Sequence, residues 1–127
     1  VNFAGWDATT AIGTSAVAIH HPNVDEKSIS FENDPTALSS YGGTSSPGDS
    51  THVWVKDWDI GTTEPGSSGS PLFDSNHRVI GQLHGGGAAC GNDRPDYYGR
   101  FHTSYKEANF AKYLDAASTG KLTVDTL

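Results

Sequence analysis

The chain has 127 residues, with eight Lys or Arg against fifteen Asp or Glu, and a net charge of −7. That length holds one domain with room for a core, and an acidic balance with no Lys/Arg cluster excludes nucleic acid as a partner. No apolar run approaches the roughly 18 residues of a membrane helix, so no membrane partner is expected. Fifteen glycines, six prolines and abundant Ser and Thr point to an all-β architecture of short strands.

Residues 1–10 are aromatic (Phe3, Trp6) and then turn. Ser15 to His21 alternates with a strand's period and stops at Pro22, and Lys27 to Phe31 alternates again, so the two predict a hairpin. Asn33 to Ser50 is rich in Gly, Ser and Pro and reads as a long surface loop carrying Tyr41. His52 to Trp58 predicts a strand with Val53 and Val55 on one face and Trp54, Lys56 and Trp58 on the other. Pro71-Leu72-Phe73 and Arg78 to His84 form a second hairpin, ended by Gly85-Gly86-Gly87, and Asp96 to His102 is the last strand, the sixth. Helical spacing enters only with Phe110, Tyr113, Leu114 and Ala117, which predicts a helix over about 104–118 with Ser104 as N-cap and Glu107 completing a capping box. Residues 121–127 read as a tail, and 1–127 reads as one domain without internal repeats.

The chemistry concentrates in Thr63-Glu64-Pro65-Gly66-Ser67-Ser68-Gly69-Ser70-Pro71. Small residues between two prolines suit neither helix nor strand. Glycine admits positive φ and close approach of a ligand, and successive N–H groups in such a turn can form a nest for negative charge. An acyl-transfer site needs a nucleophile beside donors aimed at a developing oxyanion. A plain Gly/Ser surface loop would look the same in isolation.

Other candidates are weaker. The six histidines lack metal-ligand spacing, and His20-His21 point to opposite faces of a strand, so no metal and no cofactor is expected. Asp57/Asp59 and Asp25/Glu26 read as solvated turn residues. Asp93 and Asp96 follow the Gly-rich segment, and either could floor a pocket beside Ser68 or be a solvated loop carboxylate. Cys90, the lone cysteine, could be a reactive thiol, a buried small residue or half of a bridge.

The ordered set Gly66-Ser67-Ser68-Gly69-Ser70-Pro71, Val79-Ile80-Gly81-Gln82-Leu83-His84-Gly85-Gly86, Cys90 and Asp96-Tyr97-Tyr98-Gly99-Arg100 resembles the trypsin-like serine endopeptidases of bacteria, and among them the lysyl endopeptidases. Ala4-Gly5-Trp6-Asp7, Ala18 to Val24 and Tyr113 to Gly120 extend the resemblance along nearly the whole chain. It implies the second, six-stranded antiparallel barrel of a chymotrypsin-like fold with a C-terminal helix. It also implies Ser68 as nucleophile, the N–H groups of Gly66 and Ser68 as oxyanion hole, Gly85 and Gly86 as the edge that pairs with substrate backbone, and Asp96 as the carboxylate selecting Lys at P1. His84 and Tyr41 take the place of the stacked pair beside the pocket, where Tyr41 departs from the family's Trp. A glutamyl specificity would need a His where Leu83 stands. The triad His and Asp would precede Val1, so the expected partner is an N-terminal barrel of the same protease, bridged through Cys90, and the expected location is extracellular. Val1 is not an initiator Met, so the chain is expected to have been processed or truncated, and inactive alone. The missing triad partners also admit a non-catalytic single-barrel binding or structural module.

Overall fold

A computed structural model describes every residue, Val1–Leu127. Strands β1 (Gly5–Asp7), β2 (Ala16–His20), β3 (Ser28–Glu32), β4 (Ala37–Ser39), β5 (His52–Val55), β6 (Pro71–Phe73), β7 (Arg78–Gly86), β8 (Asp96–Arg100) and β9 (Thr123–Val124) form one sheet, and helices α1 (Phe101–Glu107) and α2 (Ala111–Leu114) precede β9. The main path runs β3-β2-β6-β7-β8-β5-β4. Its neighbours are all antiparallel. β1 joins β7 in parallel, and β9 joins β1 antiparallel.

Period-2 alternation explains the core. On β2 the side chains of Ala16, Ala18 and His20 face inward, and on β5 those of Val53 and Val55 do. With Trp58, Leu72, Ile80, Leu83 and Tyr98, the alanines and valines make the main apolar cluster. Each large side chain buried there contributes roughly 1.5–3 kcal/mol. A second cluster sits under α1, where Tyr105 packs on Trp6 with ring centroids 5.3 Å apart.

All six expected strands are present, with both hairpins, and three more join them. β4 lies inside the segment read as an irregular loop and pairs with β5. β1 and β9 come from the two terminal segments. The tail is therefore not free: Thr123 and Val124 pair with β1, and Arg78 binds Asp125 at 2.7 Å. The last long strand ends at Arg100, so His102 lies in α1, its ring donating to the Ala8 carbonyl at 2.7 Å. The helix begins at Phe101, three residues earlier than expected, and Ser104 is interior to it. The N-cap position falls on Arg100 with no side-chain cap bond. Helical structure breaks where Asn109 takes a left-handed conformation (φ 53), which turns Phe110 onto Phe101, and α2 stops at Leu114 rather than 118. Trp58 is also not on the outer face, because the strand ends at Val55 and the irregular residues that follow bring the indole into the core. No helix is long and apolar enough to cross a membrane.

Candidate active site

The Glu64–Ser70 segment is two reverse turns in succession: Ser67 N–H donates to Glu64 O at 3.0 Å, and Ser70 N–H to Ser67 O at 3.1 Å. Gly66 and Gly69 stand at φ 102 and 81, conformations that side chains resist. The segment is stapled to β7, because Gly69 N–H donates to Leu83 O at 2.8 Å and Leu83 N–H to Ser70 O at 2.9 Å. Ser67 is buried and Ser68 exposed. The N–H groups of Gly66 and Ser68 have no acceptor within the chain. A trans peptide sets its C=O and N–H on opposite sides. Holding Ser67 O on Ser70 N–H therefore aims the Ser68 N–H away from that bond.

Asp96 opens β8, directly across from Gly86 on β7. Its carboxylate is almost wholly buried, at 1% exposure. Oδ2 accepts from Trp58 Nε1–H at 2.9 Å and from Thr63 Oγ1–H at 2.6 Å. A cavity of about 460 Å³ is lined by Ser68 and Asp96 together with Thr63, Glu64, Gly85 and Gly86. Gly86 is required by space, since a Cβ there would run into Asp96 Oδ1 and the Pro95 carbonyl. Asp93, the other carboxylate considered, is exposed in the loop before β8.

The register of β7 against β8 slips between Leu83 and Gly85, so His84 is the unpaired residue of a bulge. Leu83 is buried in the core and His84 is exposed. There His84 stacks on Tyr41, and Tyr41 in turn reaches Gly85 at the cavity rim, where an added Cβ would lie 3.0 Å from its hydroxyl. A third ring follows. Thr51 Oγ1 spends its proton on Asp49 Oδ1 (2.7 Å), so it accepts from His52 Nδ1–H (2.7 Å). His52 Nε2 then accepts from His84 Nδ1–H at 2.9 Å, which leaves His84 Nε2 without a partner in the chain. Burial holds the pKa of His52 below its ordinary value, His84 adds to that, and Asp49 opposes it.

Thus Ser68, Asp96, Gly85 and Gly86 come together round one cavity, with His84 and Tyr41 at its rim and Gly66 in the adjoining turn. Cys90 is a free, exposed thiol whose N–H donates to Glu64 Oε1 at 2.7 Å. No three His, Cys, Asp or Glu side chains stand together as a metal site. Five histidines make side-chain hydrogen bonds, none of them to Ser68.

Sequence reading missed Trp58 and Thr63 as holders of Asp96, and His52 as the third ring. It also missed His20, whose Nδ1 lies 2.8 Å from Ser67 Oγ and whose Nε2 lies 3.0 Å from Ser30 Oγ. Burial lowers the His20 pKa, the Asp96 charge works against that, and His21 works with it. The available signal for His20 was its place on the inward row of β2, where two alanines precede it.

A mostly antiparallel sheet with a C-terminal helix, a stapled Gly-Ser turn and an adjacent pocket floored by Asp96 define a serine protease-type domain of chymotrypsin-like form. Residues 1–99 match the family described as lysyl endopeptidase, C-terminal domain, and the chain belongs to that family. Among solved structures it is similar to an inactive serine-to-alanine mutant of Rv3671c from M. tuberculosis H37Rv, with a TM-score of 0.51 and 19% identity, covering 86% of this chain and 53% of that one. That likeness shows the fold, and the chain spans about half the length of that protein.

Proposed function

We propose that this domain is the substrate-binding and nucleophile-bearing half of an extracellular serine endopeptidase that cleaves after Lys. The single observation that carries the reading is that Ser68 and the buried Asp96 line the same cavity. A Lys side chain entering past Ser68 would bring its ammonium to Asp96 and its scissile carbonyl to the Ser68 hydroxyl. Oδ2 already has two donors, which leaves Oδ1, beside Gly86, for the ammonium. Lys is favoured over Arg because an ammonium needs only a point acceptor, whereas a guanidinium is held best by a two-oxygen fork.

In the reaction, Ser68 Oγ attacks the carbonyl carbon while a base removes its proton. The free N–H groups of Gly66 and Ser68 stabilise the oxyanion. The C–N bond then breaks, the amine leaves with the proton, and water releases the acyl group from Ser68 by the same route. In this reading the base and its orienting carboxylate belong to an N-terminal barrel bridged through Cys90; it is supported by the lack of any bond between a histidine of this chain and Ser68 and by the exposure of the Cys90 thiol. This half alone is accordingly inactive.

The test uses the complete protease with fluorogenic peptides carrying Lys or Arg at P1. Ser68→Ala should abolish turnover and labelling by a serine-directed phosphonate. Asp96→Asn should lower kcat/KM on Lys substrates by roughly 10²- to 10⁴-fold. Lys turnover that survives either change at the wild-type level overturns the proposal.

A further inference from the structure

The turn that carries Gly66 and Ser68 is gripped from behind by the end of β2 and the residues after it. We propose that His20 is a positioning residue for catalysis: through the Ser67 hydroxyl it holds this turn in the form that presents both N–H donors. The inference rests on the reading of Ser68 as nucleophile.

Ser67 is the residue between the two free donors, and it is buried while Ser68 is exposed. The proton directions behind it are determined. Ser30 Oγ–H donates to Thr62 O at 2.8 Å, so Ser30 Oγ accepts from His20 Nε2–H at 3.0 Å. The neutral ring then offers Nδ1 as an acceptor, and Ser67 Oγ–H donates to it at 2.8 Å. His20 is 2% exposed and Ser67 1%, so the chain is dry and each member has its partner. Gly61 makes room for it, since a Cβ there would lie 2.6 Å from Ser30 Oγ.

The backbone acts in the same sense. Asn23 N–H donates to Pro65 O at 2.8 Å, and because that peptide is planar the Gly66 N–H is directed to the far side. An added Cβ at Gly66 would lie 3.0 Å from both His21 O and Val24 N, so the turn is seated directly on this segment. Asn23 and Val24 both take left-handed conformations, φ 54 and 60, which a β-branched residue adopts only under strain. A core histidine could satisfy its nitrogens anywhere. This one spends its acceptor on the only side chain lying between the two donors, at the end of a strand whose next residues brace the same turn.

Oxyanion stabilisation acts in the transition state more than on bound substrate, so loss of the hold should appear in kcat. The experiment compares His20→Gln with His20→Asn in the complete protease. The Gln amide reaches the Nε2 position and keeps Ser30 but not Ser67, whereas the Asn oxygen stands where Nδ1 does and keeps Ser67. The Gln variant should lose roughly 10- to 100-fold in kcat on a Lys amide with KM within about threefold. A peptidyl-lysine aldehyde, which forms an oxyanion, should weaken in parallel while a simple alkylamine inhibitor does not. The Asn variant should keep kcat within about threefold despite a comparable drop in Tm. Equal kcat in the two variants, or an effect on KM alone, overturns the role of His20. Should the Gln variant fail to fold, Ser67→Ala must show the same kcat loss, and wild-type kcat there overturns it equally. A Ser68→Ala control separates the two readings: if it is inactive while His20→Gln is fast, only the His20 role falls, and if it remains active, both fall.

Discussion

The ring of Tyr41 lies on the ring of His84 with centroids 3.9 Å apart and planes inclined by 19°, and His52 continues the stack from the other strand, 5.2 Å from His84. Three rings from a loop, β5 and β7 thus form one stack, whose Tyr41 end lies beside Gly85 of the cavity lining. Such contacts contribute about 0.5–1.5 kcal/mol each beyond area burial, and the bond from His52 fixes which nitrogen of His84 is bare. His52→Ala in the complete protease should therefore raise KM on Lys peptides by about 3- to 10-fold with kcat little changed. Tyr41→Ala should act in the same direction and Tyr41→Trp should restore the stack. Steady-state kinetics on a single Lys substrate check all three.

Gly86 faces the Asp96 carboxylate so closely that no side chain fits between them. Gly86→Ala should displace Asp96 or Pro95, and overpacking of this kind costs about 1–3 kcal/mol. The same methyl would occupy the entry to Asp96. Turnover of Lys substrates should fall to the level of Asp96→Asn, with a lower Tm, whereas phosphonate labelling of Ser68 persists. Unchanged Lys turnover would show that the substrate side chain takes another path.

Much of this site was legible in the sequence because its chemistry is local. The Ser68 turn declares itself by small residues between two prolines, and the hairpin behind it by alternation and an Asp-Ser-Asn turn. What was hidden depends on contacts across the sheet. His20 and Ser67 are 47 residues apart, and nothing in β2's alternation distinguishes a histidine reaching the Ser68 turn from one satisfied elsewhere in the core. β9 is only two residues long and exists because β1 and Arg78 are there to receive it. The helix was placed correctly at the C-terminal end but not bounded correctly, because packing of Phe110 outweighs the unbroken helical spacing and takes Asn109 out of the helix. Trp58 was assigned to the wrong face because alternation was carried three residues past the end of β5.

Stability should weaken on mild acidification. Burial depresses the pKa of His20, with Asp96 opposing and His21 assisting, and burial also depresses that of His52. Between the ordinary value of about 6.5 and these lowered native values the unfolded chain binds more protons than the native one. Stability is then fully present above pH about 6.5 and is lost as pH falls through that window. Glu32, whose pKa burial raises, contributes in the opposite sense as it takes up a proton. Comparing wild type with His20→Asn isolates the histidine: urea unfolding from pH 7.5 to 5 should show a flatter profile in the variant. Parallel profiles would mean that His20 does not titrate differently on folding.

The floor of the pocket and the back of the Ser68 turn share one stretch of backbone. Thr62 O accepts the Ser30 hydroxyl that orients His20, and the next residue, Thr63, gives its hydroxyl to Asp96 at 2.6 Å. Thr63→Val keeps the shape and removes that donor, leaving Asp96 Oδ2 with Trp58 alone. Loss of a hydrogen bond to a charged group costs about 1.5–3 kcal/mol, and a less firmly held carboxylate should lower kcat/KM on Lys substrates by roughly tenfold. Because Thr62 and Thr63 are joined by one peptide, that loss should not simply add to the effect of His20→Gln. Once either hold is released, the shared backbone can shift and the second release has less left to disturb. The double variant should therefore lose less than the sum of the two single losses, by about 0.5 kcal/mol or more in the transition-state free energy. Strict additivity would mean that the two networks act independently and that Asp96 and the Ser68 turn are positioned separately.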